Sequence, residues 1–265
     1  MDPTAHDSTV DNDERPFLEH LLELRQRILY AVLAVVLLFF PLYYVANELY
    51  TFIAAPLMAH LPDGGQMIAT EVASPFLTPF KLALVMAFFL GMPVVLHQAW
   101  SFISPGLYLH EKRFALPLLI SSITLFYLGM AFAYYLVFPL VFKFFAGVTP
   151  TGVTMMTDIS RYLDFVLKMF FAFGLAFEIP VATLLLSWSG LTTADKMAAK
   201  RPYVIVGCFI VGMLLTPPDV ISQLLLAVPT WLLFEVGVML SRFAERQRAE
   251  RAAENDSDDS TDTGH

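Results

Sequence analysis

Residues 28–47 read ILYAVLAVVLLFFPLYYVAN, twenty positions with no charged side chain. A helix rises about 1.5 Å per residue, so about 20 apolar residues cross the roughly 30 Å of a bilayer's hydrocarbon. Comparable apolar runs recur near 76–97, 115–140, 162–188, 203–216 and 220–240, and the six together make up half of the 265-residue chain. Of all residues 57% are hydrophobic and 15% charged, against roughly a quarter charged in a soluble domain. The mean hydropathy is +0.64. The chain is thus expected to be an all-α, polytopic membrane protein with six transmembrane helices. A soluble enzyme is excluded.

The fifth run departs from the others. Between Pro202 and Pro217 it holds 14 residues, about 21 Å of helix, and Thr216-Pro217-Pro218-Asp219 joins it to the sixth. Prolines at both ends limit its extension. The pair is either a re-entrant hairpin or a short span through a locally thinned bilayer, and the length of the sixth run favours the span. The fifth helix is expected to be short, and the sixth to a lesser degree. Basic residues set the orientation. With the N-terminus in the cytoplasm, every Lys and Arg except Lys81, Lys143, Arg161 and Lys168 falls inside, and six spans then bring both termini to the cytoplasm. Two outward loops, about 48–75 and 141–161, carry the turn sequences Pro62-Asp63-Gly64-Gly65 and Thr149-Pro150-Thr151-Gly152. They are long enough to form caps.

The formal charge of −8 is concentrated at the ends. Residues 1–15 and 244–265 read as disordered, solvated tails flanking a membrane domain over 16–243. The first fifteen residues hold no basic segment followed by an apolar one, so no removable signal peptide is expected. A single cysteine, Cys208, lies within an apolar run, which leaves no disulfide framework and no cysteine-ligated metal site. The sequence has no phosphate-binding G-x-x-x-x-G-K-[ST], no H-E-x-x-H and no G-x-S-x-G, and its six histidines are dispersed. Neither catalysis, a cofactor nor a nucleic-acid partner is expected.

Several polar residues need an explanation. PFLEHLLELRQR, residues 16–27, spaces its apolar side chains as an amphipathic helix running into the first span. Glu23 and Arg27 are four apart and can pair for a few tenths of a kcal/mol. Glu19 and Glu23 are also four apart, and those like charges repel unless a cation bridges them. In the first inner loop, Glu111 stands beside Lys112 and Arg113, either neutralising them or facing a groove shared with Glu23. Glu178, in Phe177-Glu178-Ile179-Pro180, lies deep in the fourth run. A carboxylate there costs at least about 2.5 kcal/mol, which makes a functional role the default. The alternative is a hydrogen bond to backbone carbonyls freed by Pro180. Thr216, Gln223 and Glu235 offer a lateral contact to another membrane helix.

HLLELRQR (20–27), SPGLYLHEKR (104–113), FEIPV (177–181), KRPYVIVG (200–207) and TPPD (216–219) occur in that order. In sequence and topology the chain resembles the TatC family, the multispanning receptors of the twin-arginine protein translocase, over residues 17–243. The resemblance implies a bacterial inner-membrane receptor for twin-arginine signal peptides. Such a receptor joins single-span TatA and TatB partners, as a homo- and hetero-oligomer, to export folded proteins with the proton-motive force. It places the signal-peptide contacts on Glu23 and Glu111, with Arg25 and Phe102 on the same surface. Glu19 is added by the charge argument alone. Glu178 matches the family's intramembrane acid, and Met213, Thr216 and Gln223 match its partner-binding positions. Pro56 and Asp219 are assigned loop positions of structural or functional weight. Lys112 stands where an arginine is familiar in the family, and the positive charge is kept. Two other functions fit the residues less fully: a proton-coupled small-solute transporter using Glu178, and a membrane scaffold with no ligand of its own.

Overall fold

The computed structural model describes residues 11–60, 66–107, 112–150, 153, 155–216 and 219–262, with side chains over 22–102 and 116–250 of these. Its helices are α1 (Asp11–Tyr44), α2 (Ala46–Met58), α3 (Ser74–Leu90), α4 (Met92–Leu107), α5 (Lys112–Phe132), α6 (Phe138–Val148), α7 (Ile159–Phe177), α8 (Ile179–Trp188), α9 (Ala194–Ala199), α10 (Arg201–Leu215) and α11 (Val220–Asp262). Four apolar stretches are long enough to cross a membrane: Leu22–Tyr44, Leu116–Val148, Ile159–Trp188 and Val220–Glu250. The bent pair Ser74–Leu90 and Met92–Phe102 supplies another, and α10 is the short apolar helix. These are the six expected segments, in the expected order.

Departures from straight helix have identifiable causes. Pro93 lacks the N–H that would bond back to Phe89 and its ring crowds that turn; α3 and α4 meet there at 50°. Pro139 follows a π-turn, Ala133–Val137, in which Phe138 N–H donates to Ala133 O. Pro180 breaks the fourth span between α7 and α8, with Glu178 at the break.

By contact the chain divides into two units, Met1–Asn47 with Pro79–Leu119, and Glu48–Thr78 with Ile120–His265. In the first, the amphipathic segment and the first span form one continuous helix, α1. Phe39 and Tyr43 on it meet Phe80 of α3, with ring centroids 5.2 and 6.0 Å apart.

In the second unit, a cap is built at the start of α7. Asp158 accepts from Ser160 N and Arg161 N at 2.9 and 3.0 Å, satisfying N–H groups that have no partner within the helix. Its other oxygen accepts from Thr70 N at 2.9 Å and Thr70 Oγ1 at 2.6 Å. Ile68 N donates to Thr157 O and Ile159 N to Ile68 O, so the expected loops 48–75 and 141–161 are joined by an isolated parallel bridge. Tyr162 Oη donates to Ile53 O of α2 at 2.7 Å. The Thr70 hydroxyl first, then the surrounding N–H groups, hold the Asp158 carboxyl down at about 2. A carboxyl depressed on folding stabilises above its unfolded value, near 4, and loses that effect as the pH falls through about 2. Asp158→Asn should therefore lower the thermal midpoint at pH 6 and leave a smaller deficit at pH 2.5. An equal deficit at both values would assign the cap to packing.

Two end segments differ from expectation. Helix α1 begins at Asp11, and α11 continues to Asp262 through the charged stretch 244–262, whose Ala, Glu and Arg residues favour helix. Residues 1–10 lie outside the described residues. With 43 residues, α11 is not a short helix, and its stretch Val220–Glu250 is long enough for a full span.

Candidate functional site

On α1, Glu23 sits at the start of the apolar span, with its side chain 40% exposed. Its Oε1 accepts from Arg27 Nε at 3.1 Å and also from Nη2. The four-residue spacing thus yields the expected pair. Arg25 is exposed on the same helix and Phe102, on α4, is half-buried. The side chain of Glu19 and the whole of Glu111 lie outside the described residues, and with them the meeting of Glu23 and Glu111.

Glu178 takes its hydrogen bond from a neighbouring span. Its Oε2 accepts from Ser122 Oγ of α5, which is not the bond to backbone carbonyls of the alternative reading. Its Oε1 is buried and has no hydrogen-bond partner among the described residues. Pairing with a hydroxyl and burial leave one carboxylate oxygen unsatisfied, a costly arrangement.

The expected lateral contact at the fifth and sixth helices divides. Met213 is 62% exposed, but Thr216 is buried and its hydroxyl returns to Gly212 O at 2.9 Å. Gln223 Nε2 donates to Phe209 O at 3.0 Å, bonding α11 to α10. Glu235 is corrected outright. Its two oxygens accept from Arg201 Nε at 2.6 Å and Nη2 at 2.7 Å, the parallel fork an arginine offers a carboxylate. Asp219 caps α11 through Ser222 N at 2.6 Å. Pro56 stands inside α2, where His60 Nδ1 lies 2.8 Å from its carbonyl oxygen, so it is a helical position and not a loop one.

The residues missed from sequence form a clasp at the other end of this hairpin. Glu245 Oε1 accepts from Ser187 Oγ at 2.6 Å and Ala194 N at 2.9 Å. Arg242 pairs with Asp195 at 3.1 Å, and the Arg248 guanidinium lies 5.3 Å from the Trp188 ring centroid. A sequence signal existed for the Arg201–Glu235 pair. Both stand 17 residues from Pro218, and residues equally distant from the turn of an antiparallel helix pair lie at one level.

The comparisons with known proteins bear on the whole of this arrangement. The family model described as "Sec-independent protein translocase protein (TatC)" matches residues 19–229. The chain belongs to the TatC family. It is 62% identical to the Sec-independent protein translocase protein TatC of Azotobacter chroococcum over 92% of this chain and 95% of that one. With its Escherichia coli K12 counterpart it shares 55% identity over 87% and 90% of the two chains. A crystal structure described as the twin arginine translocase receptor TatC superposes with a TM-score of 0.77 at 37% identity, over 85% of this chain and 99% of that one. This TatC-family chain is accordingly a multi-pass, all-α membrane protein and a non-enzymatic subunit of a bacterial protein translocase. That displaces the small-solute transporter.

Proposed function

We propose that this subunit reads twin-arginine signal peptides from the cytoplasmic face of the bacterial inner membrane, both termini lying on that side, and assembles with TatA- and TatB-type single-span proteins, with further copies of itself, to export folded proteins on the proton-motive force. The observation that carries the reading is the Glu23–Arg27 contact. One carboxylate oxygen of Glu23, whose side chain is 40% exposed at the foot of the first span, already receives two nitrogens of a guanidinium. Its surroundings accept the group that a signal arginine would bring. Lysine, a compact point charge, lacks that planar fork.

Glu111, with Lys112 and Arg113 beside it, supplies the second acid in this reading, and Glu19, Arg25 and Phe102 border the surface. Apolar burial holds the hydrophobic part of the signal along the helices. Met213, with Leu214 at 75% exposure, offers the apolar face for a single-span partner. Thr216, Gln223 and Asp219 serve that face by shaping the hairpin beneath it, Pro56 shapes the outer cap, and Glu178 is the intramembrane acid. The tails 1–15 and 244–265 are solvated extensions of the membrane domain 16–243.

Photocrosslinkers placed at 23, 111 and 213 in the full chain test this assignment. Positions 23 and 111 should capture a twin-arginine precursor in membranes lacking the single-span partners, and position 213 should capture those partners instead. Capture of precursor at 213 alone would overturn the assignment of the two surfaces.

A further inference from the structure

An apolar groove of about 420 Å³ opens between the fourth, fifth and sixth membrane segments. Val204, Gly207, Val211 and Leu215 of α10 form one wall, and Ala172 and Ala176 of α7 stand across from it. Thr230, also on the lining, sends its hydroxyl back to Leu226 O at 2.6 Å, so it offers the groove no unpaired donor. At 3.6 residues per turn, the α10 wall lies on the side of the helix opposite Met213. The groove is therefore turned away from Met213 of the partner face proposed above.

Its size and its ends say what fits. From Val204 to Leu215 the wall runs about 17 Å, close to one hydrocarbon leaflet of about 15 Å. A helix about 10 Å wide and of that length would fill on the order of 1,300 Å³, more than the groove holds. A single extended hydrocarbon chain is slender enough. Val204 N donates to Lys200 O at 3.1 Å, an ordinary helical bond, which puts Lys200 one turn beyond Val204 on the same stripe. Lys200 is exposed there, just beyond the end of the apolar wall. Basic side chains at the mouth of a crevice between membrane helices attract anionic headgroups.

We infer that this groove binds an anionic phospholipid, with one acyl chain lying along Val204–Leu215 and the headgroup phosphate against Lys200. The lipid completes the packing of the fourth segment against the fifth, where the protein's own side chains leave a gap. Gly207 makes the inference testable without wrecking the fold, since a side chain there would meet no atom within 4 Å.

The full-length protein, reconstituted with equal parts phosphatidylglycerol and phosphatidylethanolamine and then released into mild detergent, would be weighed by native mass spectrometry. The wild type should retain phosphatidylglycerol preferentially. Lys200→Gln should lower that preference about fivefold, the worth of one interfacial cation. Gly207→Leu should reduce retained lipid of either headgroup on the order of tenfold by occupying the chain's place, with an unchanged thermal midpoint in lipid-free detergent. Equal retention of the two lipids by the wild type, or lipid retention untouched by Gly207→Leu, would overturn the inference. So would a Gly207→Leu protein that keeps its lipid but loses a co-purifying single-span subunit, because the groove would then hold a helix.

Discussion

Gly174→Val should lower the thermal midpoint of this protein by about 6 °C or more. A Cβ at 174 would stand 2.5 Å from Phe126 Cε2 and 2.9 Å from Cζ. Phe126 is fully buried, so its ring has no open side toward which to move. The relation is reciprocal: a Cβ at Gly129, on the helix of Phe126, would stand 2.9 Å from the carbonyl carbon of Phe173 and 3.0 Å from Phe177 Cδ2. Two glycines on facing helices each admit the other helix, the close approach that small residues permit where lipid supplies no hydrophobic drive between helices. Overpacking costs about 1–3 kcal/mol in ordinary cores and more where the obstacle is backbone. Phe126→Leu combined with Gly174→Val should recover part of the loss by giving the new methyls room. The measurement is the fraction of protein remaining monodisperse after heating in detergent. A single variant within about 2 °C of wild type would mean that this contact is slack.

Glu23→Gln should weaken binding of a twin-arginine peptide about tenfold, whereas Arg27→Gln should strengthen it about threefold, reflecting the strength of charge-assisted hydrogen bonds at a partly wet surface. The opposite signs follow from the contact on α1. A signal arginine approaching Glu23 meets a carboxylate that Arg27 already holds through Nε and Nη2, and it must share or displace that guanidinium. Removing the acid deletes the attraction. Removing Arg27 deletes a competitor and one local positive charge. Titration of a labelled peptide against the purified full chain, at fixed salt, reads both. Weaker binding by Arg27→Gln would instead make Arg27 the residue that positions the acid, and no change from Glu23→Gln would remove Glu23 from the site.

Much of the membrane architecture was legible because its causes are local. Twenty uncharged residues at 28–47 meet the length of a span without reference to the rest of the chain. Pro202 and Pro217 bound the short helix α10, observed at Arg201–Leu215, because a missing N–H acts on the turn that contains it. The Glu23–Arg27 pair lies within one helix, where separation in sequence is separation in space. Asp158 before α7 and Thr193 before α9, which accepts from Lys196 N at 3.4 Å, are residue types that favour the first position of a helix.

The polar groups divide on the same principle. Glu178 was recognisable as costly from its depth alone, but its bond to Ser122 joins positions 56 residues apart. Gln223 and Glu235 were polar residues in an apolar run, as a lateral surface would require, yet both turn inward to α10. Their partners, the Phe209 carbonyl and the Arg201 guanidinium, become neighbours only once α10 and α11 pair. Sequence by itself determined which segments enter the bilayer, where they break and which side chains must find company there, because length, hydrophobicity and proline act over a few residues. Tertiary structure alone decided whose company Glu178 and Gln223 keep, since in a low-dielectric interior the outcome turns on distances of a few ångströms between segments apart along the chain.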